Sequence, residues 1–227
     1  LWDQPALGRM SLMDHAPGDR QSPDIEAYKR RYRSNFGLDE AAVEAHVNAL
    51  VEGSWRYGPD NRRRLAALAA AHGLPLASHD DARPEHVEEA AGLGCVLSEF
   101  PTTVEAAKAA RERGLAVLMG SPNLIRGGSH SGNVAAADLA QAGLLDVLSS
   151  DYIPASLLMA AFRLTDERFG VPLPEAVATV TKNPADAAGL ADRGRIAPGR
   201  RADLVRVRLV EGRPVIRGVW VVGERVA

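Results

Sequence analysis

The chain has 227 residues, of which 46% are hydrophobic and 25% charged, a composition typical of a globular protein with a sizeable core. The formal net charge of −2 excludes the strong positive field with which proteins attract nucleic acid or anionic membranes, so we expect neither partner. No run of 18 or more apolar residues occurs, which argues against a membrane-spanning helix.

The single cysteine and the first residues indicate the compartment. Cys95 lies inside an apolar run and cannot form a disulfide within one chain, so we expect a buried free thiol. The segment beginning at Leu1 has neither the basic nor the apolar region of a signal peptide. We therefore expect a cytoplasmic protein; homo-oligomerisation stays open.

Short apolar runs alternate with helical patterns along most of the chain. The runs predict β-strands at residues 8–13, 74–78, 94–98, 115–119 and 145–149. The helical patterns cover residues 38–51, 62–72, 84–91, 104–113, 133–142, 155–169, 173–181 and 184–188. This alternation predicts βαβ units in an α/β fold, with a parallel sheet that is buried on both faces.

Every predicted strand is followed by polar residues on its carboxyl side, where α/β folds place their chemistry. These residues are Asp14-His15, His79-Asp80-Asp81, Glu99, the group Asn123, Arg126 and His130, and Asp151. Histidine nitrogen and carboxylate oxygen are the ligands of zinc and similar divalent cations. The pattern therefore favours a metal or acid–base site over a set of unrelated surface side chains.

The segment 119–133 is rich in glycine and small polar residues and predicts a loop that contacts an anion. Arg126 and His130 could meet phosphate oxygens, and a helix beginning at Asn133 would add backbone donors. A Ser-His-Asp hydrolase built from Ser129, His130 and Asp151 is a weaker alternative, because no G-x-S-x-G segment is present.

The last residues follow a different pattern. Apolar and polar residues alternate from about residue 194, around a predicted turn at residues 211–213. We therefore predict two parts, a catalytic α/β part at residues 1–193 and a small β-domain segment at residues 194–227.

Several long segments of this sequence resemble the amidohydrolase superfamily. Residues 194–205 and 219–223 resemble the carboxyl-terminal β-domain that many members share. The more specific segments resemble a member of that superfamily that acts in phosphonate metabolism. They are residues 11–21, 78–81, 99–103, 120–133 and 148–158.

The resemblance implies a metal-dependent (β/α)8 TIM-like hydrolase barrel with a small C-terminal β-domain. Strands four to eight of the barrel would be present here, and strands one to three would come from upstream sequence or another chain. A divalent metal is implied, zinc first and manganese or magnesium as alternatives. The implied metal ligands are His15, His79, Glu99 and Asp151, with Asp151 also catalytic. The implied substrate-binding residues are Asn123, Arg126, His130, Asn133 and Tyr152.

The implied reaction is hydrolysis of the α–β phosphoanhydride of a ribose 5-triphosphate that carries a 1-methylphosphonate, with release of pyrophosphate. Two alternatives stay open. One is another amidohydrolase reaction, on a cyclic amide or an N-acyl bond. The other is an inactive, truncated interaction module.

Overall fold

The structure is a computed structural model that describes residues 8–129 and 132–227. Contacts between residues divide the chain into two compact units. The first unit contains residues 8–115 and 132–133, and the second contains residues 116–129 and 134–227.

The first unit alternates parallel strands with helices, as the sequence predicts. Its strands are β1 (Met10–Leu12), β2 (Leu76–His79) and β3 (Cys95–Glu99). Its helices are α1 (Ile25–Phe36), α2 (Glu40–Ala71), α3 (Pro84–Gly92) and α4 (Val104–Glu112). Strand β2 pairs with both β1 and β3, and the β2–β3 register sets His79 directly opposite Glu99.

The second unit contains two more parallel strands and a separate antiparallel sheet. The parallel pair is β4 (Ala116–Gly120) and β5 (Val147–Ser149). Its helices are α5 (Ser121–Arg126), α6 (Ala136–Gln141), α7 (Ser156–Arg163), α8 (Leu173–Ala178) and α9 (Lys182–Ala187). The antiparallel sheet is β6 (Leu204–Val210), β7 (Arg213–Val221) and β8 (Glu224–Arg225).

Most strand residues are buried, as the apolar runs predict, but Val96 in β3 is 45% exposed and β1 is only partly buried. All four residues of β2 are buried, and Leu97 and Val117 are fully excluded from solvent. Cys95 is a buried free thiol, as predicted, and burial raises its pKa to about 12. This thiol is therefore unreactive at neutral pH.

Several secondary-structure predictions are wrong in their boundaries or type. The predicted helices at residues 38–51 and 62–72 form the single helix α2, which continues through Pro59. Residues 121–126, predicted as loop, form helix α5, in which Pro122 occupies the first turn, where its missing N–H costs nothing. Helix α6 begins at Ala136 instead of residue 133.

Side-chain caps begin two of the helices, and the predicted turn at residues 211–213 is confirmed. Asp39 accepts a hydrogen bond from the Ala42 amide (2.8 Å) at the start of α2, and Thr103 accepts one from the Ala106 amide (3.1 Å) at the start of α4. Glu211 and Gly212 both have positive φ values, 50° and 74°, as a two-residue turn between β6 and β7 requires.

None of the helices in the described residues is both long enough and apolar enough to cross a membrane.

The predicted boundary between residues 193 and 194 stays a prediction. Gly194 itself has φ +87°, and a Cβ there would lie 2.8 Å from the Ala185 Cβ and 3.0 Å from the Thr181 carbonyl oxygen.

Gly194→Ala tests whether this close approach constrains the second unit. Both a left-handed backbone and a steric clash penalise the new methyl group, so we expect unfolding to require about 2–4 kcal/mol less free energy. The matched control is Gly199→Ala, at φ +78° with open space around it, which should cost about 1–2 kcal/mol. Urea denaturation measures both values, and equal losses would contradict the steric argument.

Candidate metal centre

The carboxyl ends of β1 and β2 bring two histidines and one aspartate together. His15 follows β1, His79 is the last residue of β2, and Asp80 comes directly after it. Asp80 Oδ2 lies 3.3 Å from His15 Nε2 and 3.6 Å from His79 Nε2. The three potential ligand atoms all lie within 4.8 Å of one another.

These separations fit a divalent cation. Ligands at about 2.0–2.1 Å from a tetrahedral zinc ion lie about 3.3–3.4 Å from one another. Asp80 is 3% exposed, and among the described residues its Oδ2 has no hydrogen-bond donor. A buried carboxylate oxygen that faces two imidazole nitrogens without a donor is suited to a cation. The residues therefore fit the metal that the resemblance implies.

Glu99 faces the opposite nitrogen of His79. Its Oε2 lies 3.2 Å from His79 Nδ1 and accepts a hydrogen bond from the Ser11 hydroxyl, and Arg9 forms an ion pair with its other oxygen. A carboxylate in this position favours the tautomer with the proton on Nδ1, which leaves Nε2 free to bind a metal. Glu99 was predicted to be a metal ligand. Its contacts are those of a residue that orients His79.

The two carboxylates have opposite pKa shifts. Burial raises the pKa of Asp80 above its ordinary value, although His79, His15 and Arg20 oppose the change. Burial also acts to raise the pKa of Glu99, but the hydrogen bonds from His79 and Ser11 and the charge of Arg9 outweigh it and hold that pKa low. Glu99 is therefore a stable anion, whereas the Asp80 carboxylate carries an uncompensated cost of burial.

Asp80 was named in the predicted polar cluster but was not among the predicted ligands. Its backbone is left-handed, with φ 54°, and its amide donates to the Glu99 carbonyl oxygen at 2.9 Å. With this backbone, the Asp80 carboxylate lies 3.6 Å from Nε2 of the adjacent residue His79. An aspartate next to a strand-end histidine is the sequence signal that could have identified it.

The second unit contains the predicted residues Asp151, Arg126, Tyr152 and Asn123. Asp151 follows β5 in a left-handed conformation, with φ 50°, and its amide donates to Ser149 Oγ at 3.1 Å. A Cβ on Gly120 would lie 3.0 Å from Asp151 Oδ2, so a larger residue at position 120 would press against this carboxylate.

Arg126, Tyr152 and Asn123 have defined partners in the same unit. Arg126 donates to the Tyr152 hydroxyl oxygen (3.1 Å) and to the Gly128 carbonyl oxygen (3.3 Å). The Asn123 side-chain oxygen accepts from the Ala136 amide (2.9 Å), so Asn123 caps the first turn of α6. Asn133, expected to begin that helix, precedes it as a partly buried residue of the first unit, and His130 lies outside the described residues.

A sequence model of the amidohydrolase family matches residues 25–227. The chain is 51% identical over 218 residues to alpha-D-ribose 1-methylphosphonate 5-triphosphate diphosphatase of Escherichia coli K12, covering 96% of this chain and 58% of that protein. It is 30% identical over 192 residues to imidazolonepropionase of Deinococcus deserti, covering 75% of this chain and 46% of that protein. The chain thus spans about half the length of the curated relatives it matches.

Two solved structures share the fold. An amidohydrolase from Thermotoga maritima superposes with a TM-score of 0.54 at 22% identity, over 89% of this chain and 52% of its own. Ochratoxinase from A. niger superposes with a TM-score of 0.55 at 17% identity, over 74% of this chain and 45% of its own. The likeness confirms the predicted class, a TIM-like α/β barrel fold, together with the small carboxyl-terminal β-sheet.

Asp80→Asn tests the balance between stability and metal binding. The raised pKa means that the folded state disfavours the carboxylate, so removing the charge should stabilise the metal-free protein at neutral pH. A gain of about 1 kcal/mol is typical of a single stabilising substitution. The gain should shrink as the pH falls through the folded pKa, because the wild-type carboxyl group is then neutral too. Asparagine tolerates the left-handed backbone.

Chemical denaturation of chelator-treated protein at several pH values measures this difference, and zinc titration should show weaker binding by the variant. Asp60→Asn is the control, since Asp60 forms an exposed pair with Arg63 that contributes little. Destabilisation of the metal-free protein by Asp80→Asn would contradict the interpretation.

Proposed function

The chain belongs to the amidohydrolase family, and we propose that its protein hydrolyses the α–β phosphoanhydride of α-D-ribose 1-methylphosphonate 5-triphosphate, releasing pyrophosphate. The 51% identity to the E. coli diphosphatase over 96% of this chain carries the proposal. The histidine–aspartate cluster supports it from the chemical side, because phosphoanhydride hydrolysis benefits from a cation that neutralises phosphoryl charge.

The proposed cation ligands are His15, His79 and Asp80, with Asp151 kept as a further ligand. Zinc is the proposed metal, with manganese and magnesium as alternatives. A divalent cation there would supply Lewis acidity, which lowers the pKa of water and neutralises charge on the attacked phosphoryl group. Glu99 would hold His79 in the binding tautomer through the 3.2 Å contact with Nδ1.

The remaining roles belong to side chains at other strand ends. Asp151 would accept the proton of the attacking water, while the water oxygen bonds to phosphorus and the α–β bridging bond breaks. Arg126 would bind the phosphate chain and stabilise its charge, with Tyr152 holding the guanidinium through the 3.1 Å hydrogen bond. His130, Asn123 and Asn133 complete the proposed substrate-binding set.

The substrate proposed here is a soluble phosphorylated ribose. We also propose a cytoplasmic location, with homo-oligomeric assembly left open; nucleic acid and membrane are not proposed as partners. The formal net charge of −2 is what disfavours nucleic acid and anionic membranes as partners.

A second candidate is hydrolysis of a cyclic amide or an N-acyl bond with the same ligand set. The 30% identity to imidazolonepropionase favours it. Turnover of an amide substrate, with no pyrophosphate released from the ribose triphosphate, would favour this candidate. A protein that binds no metal and turns over neither substrate would favour the inactive interaction module.

Asp151→Asn tests the proposed proton acceptor. An amide cannot take the proton, so kcat for pyrophosphate release should fall about 10²–10⁴-fold, while KM changes little. The assay follows pyrophosphate from α-D-ribose 1-methylphosphonate 5-triphosphate with zinc present. The matched control is Asp166→Asn, an exposed aspartate after α7, which should keep wild-type kinetics. Unchanged kcat in Asp151→Asn would remove Asp151 from this role.

A further inference from the structure

A buried ion pair lies behind the turn that presents Asp80. Asp81 is fully excluded from solvent and Arg20 is 8% exposed, and Arg20 Nη1 donates to Asp81 Oδ1 at 2.9 Å. The second oxygen of Asp81 accepts hydrogen bonds from the Ser78 hydroxyl and, at 2.7 Å, from the Ser98 hydroxyl. Both oxygens of this carboxylate are therefore held by donors that come from different segments.

The same arginine also holds the main chain of a metal ligand. Arg20 Nη1 donates a second hydrogen bond to the His79 carbonyl oxygen at 3.1 Å, and Nη2 lies 3.6 Å from Glu89 Oε2. One guanidinium nitrogen thus joins His79 to Asp81, the residues on either side of Asp80. The planar guanidinium offers donors in a fixed geometry that a lysine ammonium does not reproduce.

Main-chain hydrogen bonds also hold the turn at residues 79–81 in place. The Asp80 amide donates to the Glu99 carbonyl oxygen (2.9 Å), and the Thr102 amide donates to the Asp81 carbonyl oxygen (2.8 Å). Asp80 therefore keeps its left-handed φ of 54° between two residues whose carbonyl groups are both hydrogen-bonded.

We propose that Arg20 and Asp81 are positioning residues for the metal centre, which fix the turn His79–Asp81 so that the ligand atoms of His79 and Asp80 face one cation. This inference rests on the proposed function. A buried ion pair is weak evidence for stability, since apolar residues of similar volume often serve as well. Its position beside two candidate ligands gives it a geometric role, since an apolar pair could not hold the His79 carbonyl group.

The test measures zinc affinity by chelator competition in the full chain, with the cobalt(II) absorption spectrum as a second readout of ligand geometry. The principal variant is Arg20→Met with Asp81→Leu, which removes both charges together and leaves neither one buried alone. We expect zinc to bind about 10–100-fold more weakly and the cobalt spectrum to change, as for other losses of support around a metal ligand.

Two single variants refine the result. Asp81→Asn leaves the Arg20 charge without its carboxylate and should destabilise the fold, but the zinc affinity of the folded variant should stay near that of wild type, because the amide oxygen still accepts from Arg20. Arg20→Lys keeps the positive charge but loses the planar guanidinium that contacts both His79 and Asp81, so its zinc affinity should fall. If the double variant does not fold, Arg20→Lys tests the positioning role by itself. Val47→Ala is the control for general destabilisation, since Val47 is a buried side chain of α2.

The outcomes separate the two proposals. Wild-type zinc affinity and an unchanged cobalt spectrum in the folded double variant, or in Arg20→Lys, would overturn the positioning role and leave the metal centre intact. An equal loss of affinity in Val47→Ala would overturn it too, by making the effect one of general stability. A wild-type chain that binds no zinc would overturn both this inference and the proposed metal centre.

Discussion

The carboxylate of Asp81, fully excluded from solvent, is the constraint on which the end of β2 depends. A buried carboxylate is tolerated only when it is paired and hydrogen-bonded. Its donors come from three places in the chain: Arg20 follows β1, Ser78 belongs to β2 and Ser98 to β3. Satisfying this one group therefore fixes three neighbouring strand ends relative to one another.

The fixed strand ends create two carboxylates with contrasting environments. Glu99 has donors on both oxygens and a lowered pKa, whereas Asp80 has a raised pKa because burial is not offset by comparable hydrogen bonds. His79 lies between them, with Nδ1 toward Glu99 and Nε2 toward Asp80. The Glu99 carboxylate favours one tautomer of His79, and the Asp80 carboxylate carries a negative charge that a bound cation would compensate. Burial acts to raise the pKa of both groups, and only at Glu99 do hydrogen bonds and charge outweigh it.

The sequence predicted the strands, the polar strand ends and the turn at Glu211-Gly212, since these depend on local patterns: continuous apolar runs, side chains at the ends of the strands, and residues that tolerate positive φ. It did not predict that α2 is one helix, because a proline is normally a helix boundary. Helix α2 has buried residues both before and after Pro59, and this packing is not visible in the local sequence. It also could not assign Asp80 or Arg20. The first depends on a backbone reversal after β2, and the second on a long-range contact with a residue 61 positions away.

The residues that follow three of the strands show how the backbone itself serves the chemistry. Asp80, Phe100 and Asp151 have φ values of 54°, 55° and 50°, a conformation that costs most side chains free energy and that aspartate tolerates better than phenylalanine. Phe100 packs edge-on against the His79 ring, with ring centroids 5.3 Å apart, so its strained backbone contributes a contact to the imidazole that binds a cation in the proposed function. Glycine would relieve the strain at each position but would remove the side chain. The turn after β3 is the least favoured of the three by its own residue, so the contact of Phe100 with the His79 ring is what accounts for a phenylalanine there.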